Sequence, residues 1–243
     1  MRSRTLYMIR IALDSSTDVC SAALLRDGEV LAERVNLSGS NHAALLPQYV
    51  QELQAVAAEQ GLSIEEVVLS EGPGSYTGLR IGASLAKGLC YGADIPLVAV
   101  PTLAVIATAT MSTHPLIHSS AHPIPLICPM IDARRMEVYC ALYDQKLEVV
   151  KPLEAMVIDG QSFARVLDGH MVYFCGNGAE KCKQVIKHPN ARWIEGIVPT
   201  GAWAGRLVAM GCGVPITGKE IAYFEPNYLK EFVAAPSHVK GLH

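Results

Sequence analysis

The segment Gly72-Pro73-Gly74-Ser75-Tyr76-Thr77-Gly78-Leu79-Arg80-Ile81-Gly82 constrains this chain most. It follows a short apolar run, Val67-Val68-Leu69, which reads as a buried strand, and leads into residues 83–92, which read as a helix. Glycines and a proline at a strand-to-helix junction force a tight backbone path. Amides at such a junction can face an anion, and the helix dipole favours one there. Gly72, Gly74, Ser75 and Thr77 are therefore a candidate anion or nucleotide loop. The loop is not a P-loop, because no Gly-Lys-Ser/Thr follows, and a phosphate-free turn with ordinary core packing stands beside the anion reading. Gly78, Gly82 and Ala86 recur every four residues, which leaves one helix face nearly bare and open to close approach by another helix.

Two similar halves flank a linker. In the first, residues 8–13 read as a strand ending at Asp14-Ser15-Ser16-Thr17. Residues 20–25 and 30–35 read as a hairpin turned at Asp27-Gly28. A helix capped by Ser40 or Asn41 runs to about Gln60, with Leu46, Val50, Leu53 and Ala57 on one face and Pro47 in an early turn or at a kink. Between Asp94 and Asp132 there is no charged residue. Pro96, Pro101 and three threonines break that stretch, so it reads as a buried strand 97–100 and a helix capped by Thr102, not a membrane span. In the second half, residues 126–131 read as a strand ending at Asp132, with 137–143 as its hairpin partner. A helix at 162–167, a strand at 172–175, a Gly176-Asn177-Gly178 turn and a helix at 179–187 follow. A strand at 192–194 and a helix at 203–210 close the series. Asp14 and Asp132 end equivalent strands, which suggests a duplicated unit. The division expected is 1–110, a Ser-, His- and Pro-rich linker at 111–125, and 126–243.

A net charge of −3 provides no broad basic footprint for nucleic acid. Seven cysteines, odd in number and without a C-x-x-C pair, read as reduced thiols, with Cys20, Cys90 and Cys140 inert in apolar runs. These features, with no signal peptide, fit a soluble cytoplasmic chain; Met8 is an alternative start. His114, His118 and His122 have four-residue spacing, but Pro115 and Pro123 flank them and favour solvated linker histidines over a metal site. Asp14 reads as a cap for the Ser16 or Thr17 amides in preference to a metal-water ligand. Arg134 and Arg135 could grip a phosphate or pair locally with Glu137.

Several motifs together carry a family resemblance. They are Ile11-Ala12-Leu13-Asp14-Ser15-Ser16-Thr17, Asn41-His42-x-x-Leu45-Leu46-Pro47, the Gly72–Gly82 segment, Asp132-Ala133-Arg134-Arg135-x-Glu137-Val138-Tyr139 and Glu225-Pro226-Asn227-Tyr228-Leu229-Lys230. The chain resembles the bacterial TsaB family over most of 8–230. It departs in having Asp-Ser-Ser-Thr where the family often has Asp-Thr-Ser-Thr, and Lys230 in place of Arg. The resemblance implies an α/β fold of two tandem RNase H-like units, in the actin-like ATPase and sugar-kinase superfamily. It implies a non-catalytic part in forming threonylcarbamoyladenosine beside the anticodon of tRNAs reading A-starting codons. The implied partners are a TsaD-like catalytic paralogue and a TsaE-like ATPase, with tRNA met through the complex and a homodimer formed when the chain is alone.

The resemblance further implies that the paralogue's metal-binding histidines fall near Thr102 and Ile106 here, so no catalytic or metal residue is assigned to this chain. No cofactor is required by it, although ATP could sit at a shared interface. The expected partner interface is His42, Leu46, Val50, Leu53, Gly78, Gly82 and Ala86, a helix-on-helix contact. The alternative is a stand-alone enzyme of this fold, either an ATP-dependent phosphotransferase or a zinc hydrolase or peptidase.

Overall fold

A computed structural model describes residues 7–39, 41–114, 117 and 124–229. Ser40, His118, His122 and Lys230 therefore lie outside the described residues. The first sheet is built from β1 (Ile9–Asp14), β2 (Cys20–Arg26), β3 (Glu29–Asn36), β4 (Glu66–Gly72) and β5 (Leu97–Pro101). The helices α1 (His42–Glu59), α2 (Tyr76–Ala93) and α3 (Thr102–Thr113) are interleaved with it. The second sheet is built from β6 (Leu126–Asp132), β7 (Glu137–Tyr143), β8 (Val149–Val157), β9 (Val172–Cys175) and β10 (Ala191–Trp193), with α4 (Ala164–Gly169) and α5 (Ala179–Cys182). The chain then adds α6 (Gly201–Ala209), β11 (Val214–Ile216) and α7 (Glu220–Tyr223).

The sheet orders are β11-β5-β4-β1-β2-β3 and β10-β9-β6-β7-β8. In each, an antiparallel meander (β1-β2-β3 or β6-β7-β8) is extended by parallel strands, β4 and β5 or β9 and β10. The duplicated unit read from the two aspartates is thus present in five strands of each sheet, and β11 at the edge of the first has no counterpart. The Asp27-Gly28 turn has φ of 48° and 92°, the left-handed pair that matches hairpin twist.

Strand alternation divides the core. Ile9, Ile11 and Leu13 face α1 and α2, while Ala12 faces the opposite side with Val68 and Val98. That second side packs on α3 and α6 and is continuous with Ile127, Ile131 and Ala141 of the second sheet. Helix α3 is buried from Thr102 to Met111, as its all-round apolar sequence requires. It holds the two sheets together. Leu126, Cys128 and Met130 face outward from it, against Phe163, Leu167 and Cys182.

Several boundaries move. Asn41 precedes α1 but adopts φ 75° and forms no side-chain cap. Thr102 is the first residue of α3, not its cap, and its hydroxyl accepts the Gly72 amide at 3.2 Å. The helix expected at 179–187 is only Ala179–Cys182. Strands β8 and β11 carry Pro152 and Pro215 and lie at sheet edges, where a missing amide is tolerated. The assignment of 126–243 to the second unit is also corrected. β11 pairs with β5, and the Gly201 amide of α6 binds Ser21 Oγ of β2 at 2.8 Å, so 201–216 complete the first sheet's layer. All seven cysteines are free and six are buried, Cys20, Cys90 and Cys140 among them. Among the described residues no helix is long and apolar enough to cross a membrane.

Candidate functional site

The turn after β1 organises everything around it. Asp14 is wholly buried, and its Oδ1 accepts from the Ser16 amide at 3.1 Å and the Ser16 hydroxyl at 2.9 Å. This is the local capping role expected of it, directed at Ser16. Parallel register sets Leu13 against Leu69, which brings Asp14 level with Ser70. Asp14 Oδ2 and Ser70 Oγ are both buried without a hydrogen-bond partner. Burial pushes the Asp14 carboxyl up to about 6, although the nearby Ser70 hydroxyl, the Ser16 bonds and the His42 charge pull it down.

Helix α2 rests on this turn through its bare face. Ser15 Oγ donates to the Gly78 carbonyl at 2.8 Å, and the Ser75 amide donates to the Ser16 carbonyl at 2.7 Å. A Cβ at Gly74 would strike the Ser16 carbonyl oxygen, one at Gly78 the Ser15 carbonyl oxygen, and one at Gly82 the Ser15 hydroxyl. Ser75 caps α2 by accepting from the Gly78 amide at 3.3 Å. The amides of Gly72, Ser75 and Gly78 are thus spent inside the chain, which supports the packing reading of the glycine loop.

This corrects the expected interface. Gly78, Gly82 and Ala86 are buried against the chain's own turn and first sheet. Leu46, Val50 and Leu53 are buried in the same core. His42 is directed inward, with Nε2 at 2.9 Å from the Thr17 carbonyl oxygen and 3.3 Å from that of Val19. Periodicity identified a shared face correctly, but the sheet occupies it. The outward counterpart is a shallow groove between α1 and α2, lined by Ala43, Pro47, Thr77, Arg80, Ile81 and Leu85. Pro47 lies inside α1 and cannot donate to the Ala43 carbonyl. Arg80 donates to the Tyr76 hydroxyl at 3.1 Å and lies over its ring.

A second cleft of about 610 Å³, which shares Tyr76 and Thr77 with the groove, opens between the two units. Its first-unit wall is residues 16–18 and 73–77; its second-unit wall includes Asp132, Arg134, Tyr139 and Asn177. Asp132 accepts from the Arg134 amide at 2.7 Å and from Lys181 Nζ at 2.5 Å. Lys181 also donates to the Glu137 carbonyl at 2.7 Å, so one ammonium ties Asp132 to the first residue of β7. Arg134 and Arg135 occupy a left-handed turn, φ 72° and 51°, with both side chains exposed. Residues 227–229 line the cleft as a strap laid on its first-unit side. The Asn227 amide donates to the Glu71 carbonyl at 2.8 Å, and the Tyr228 ring meets Tyr76 with centroids 4.9 Å apart. No signal within the sequence itself, outside the family resemblance, identified this strap, because it depends on contacts remote along the chain. His114 lies at the end of α3, its Nδ1 at 2.9 Å from the Thr113 hydroxyl.

Comparison with known proteins agrees with this architecture. A family model described as "TsaD: tRNA N6-adenosine threonylcarbamoyltransferase" matches residues 30–192. The Bacillus subtilis tRNA threonylcarbamoyladenosine biosynthesis protein TsaB is 34% identical over 184 residues, 74% of this chain and 76% of that protein. Its Escherichia coli namesake is 28% identical over 237 residues, 92% of this chain and 95% of that protein. The structure of YeaZ from Pseudomonas aeruginosa superposes with a TM-score of 0.72 at 26% identity, covering 91% of this chain and all of that one. With the paired sheets, the glycine helix on its serine turn and these relatives together, the chain belongs to the TsaB family.

Proposed function

We propose that this chain is the non-catalytic partner in the formation of threonylcarbamoyladenosine in tRNA, supporting a TsaD-type transferase of the same fold in the cytoplasm. Membership of a family whose curated members carry that biosynthetic name is the observation that carries this reading. The packing is consistent with it. Thr102 and Ile106 stand where the resemblance puts the transferase's metal ligands. The Thr102 hydroxyl is engaged with the Gly72 amide, and Ile106 is in the core. Ile106 has no donor atom for an ion, and neither residue offers an imidazole.

The α1–α2 groove is the surface we assign to the transferase. It combines apolar Ala43, Pro47, Ile81 and Leu85 with a polar margin at Thr77 and Arg80. A groove of this kind suits a second helix pair, and in the transferase's absence it would close on another copy of this chain around a two-fold axis. A TsaE-type ATPase would join the pair, with any ATP held at a shared interface.

Reconstitution tests the reading. Threonylcarbamoyl transfer to tRNA is measured with the transferase, the ATPase and the activated donor, with and without this chain. Transfer should require both the chain and the transferase. Robust transfer by the chain without the transferase would make it an enzyme in its own right, and full transfer when the chain is omitted would remove its role.

A further inference from the structure

We infer that His42 is a positioning residue that sets the α1–α2 groove without touching whatever docks there; the groove's role rests on the function proposed above. The turn at 14–19 anchors both walls of that groove. On the α2 side, Ser15 and Ser16 hold the helix through the Gly78 carbonyl and the Ser75 amide, and the missing Cβ atoms let it settle there. On the α1 side, His42 reaches the same turn through the Thr17 and Val19 carbonyls. Carbonyl oxygens only accept, so Nε2 must carry the proton.

The N-terminus of α1 has particular need of this tie. The residue before it, Asn41, is left-handed at φ 75° and supplies no side-chain cap. Pro47 removes one hydrogen bond from the second turn. The neighbour of His42 is Ala43, a groove residue, so a shift of α1 at His42 moves the groove wall directly. The turn itself is braced, with the Val19 amide on Thr17 Oγ1 at 3.2 Å and Ser16 on Asp14. Both helices are thereby referred to one rigid point, and the groove's width follows from it.

Side-chain geometry provides the test. The amide nitrogen of Gln is as many bonds from Cα as His Nε2, whereas that of Asn matches Nδ1 and falls short. Affinity for the TsaD-type transferase is measured by titration calorimetry for wild type, His42→Gln, His42→Asn and His42→Leu, each shown to be folded by urea unfolding. The tie favours the docking-competent placement of α1, so its loss should weaken binding severalfold and by no more than about tenfold in the Asn and Leu variants, while Gln stays near wild type. Amide hydrogen exchange at the start of α1 is measured in parallel on the isolated chains. It should quicken in the Asn and Leu variants and not in Gln.

Folded Leu and Asn variants that bind as tightly as wild type would overturn the inference, as would a Gln variant no better than Leu. A wild-type chain that does not bind the transferase counts against the proposed function instead. In that case unchanged exchange in all three variants would still overturn the tie, and the Asn/Leu-specific quickening would uphold it.

Discussion

Asp14 and Asp132 end equivalent strands, and each accepts the amide two residues on, from Ser16 and Arg134. The local turn is the same, but the surroundings are opposite. Asp14 is sealed under α2, with one carboxylate oxygen lacking a partner and its pKa pushed up to about 6 by burial. Asp132 stands at the cleft wall, half exposed, and is neutralised by Lys181. The glycines that follow the neighbouring strands explain the contrast. Gly74, Gly78 and Gly82 extend over more than a helical turn and draw a long helix down onto Ser15 and Ser16. Gly176 and Gly178 make a similar close approach to Met130 and Ile131, but the helix behind them is only Ala179–Cys182 and covers little. The two turns are alike, and the buried one lies beside the long helix α2 while the exposed one lies beside the four-residue α5.

The largest effect should come from opening the sealed side. Gly78→Val places branched carbon against the Ser15 carbonyl, a backbone atom that cannot give way. It should cost about 3 kcal/mol or more in urea unfolding and abolish tRNA modification through loss of the fold. A near-native unfolding curve would mean that α2 does not rest on the turn as described.

Next is the buried carboxyl itself. Its pKa is raised from 3.8 to about 6, so between those values the folded state binds more protons than the unfolded one. The stability it contributes is full below about pH 4 and is lost as pH rises through 6, a swing of about 3 kcal/mol at most. Asp14→Asn keeps an acceptor for Ser16 and adds a donor beside Ser70. It should stabilise the chain by about 1–2 kcal/mol at pH 8 and remove this part of the pH dependence. Destabilisation at pH 8 would show that the carboxylate is compensated by something other than Ser16.

The same change at the cleft should do little. Asp132→Asn breaks a partly exposed ion pair and should shift stability by less than about 1 kcal/mol. An effect as large as that at Asp14 would erase the contrast between the two turns. Smallest is Gly88→Ala, on α2 but over open space, which should gain about 0.5–1 kcal/mol from helix propensity. A loss there would reveal a contact on the outer side of α2.

Much of the fold could be read from local pattern. The β2–β3 hairpin was legible because Asp27-Gly28 is a turn with a conformational requirement, and β9 because an apolar run ended at glycine. The buried character of α3 was legible because nothing charged interrupts it. β8 and β11 escaped notice because Pro152 and Pro215 argue against a strand unless it is known to lie at an edge, which only the assembled sheet reveals. The return of 201–216 to the first sheet is a long-range pairing with no local trace. The Gly78–Gly82–Ala86 face turns toward the serine turn and the sheet, opposite to the direction expected for a docking face. A period of four residues shows which side chains share a face, but not whether a sheet or another molecule meets it. Gly201 and Gly205 form the same pattern on α6 and are pressed on Ala12 and Leu25. These two small-residue faces mark internal contact, whereas Gly88 and Gly92, also four apart on α2, meet nothing within 4 Å.

The central claim is that docking uses the outer face of the first unit while the cleft beside Asp132 is dispensable for it. Affinity for the TsaD-type transferase, compared between Ile81→Arg on the groove and Arg134→Ala at the cleft, tests this most directly. A charge introduced into the lining of the groove should weaken binding by about a hundredfold or more, and the cleft variant should stay within about threefold of wild type, both chains folding normally. Wild-type affinity in Ile81→Arg, with binding lost in Arg134→Ala, would contradict the account and move the partner to the cleft.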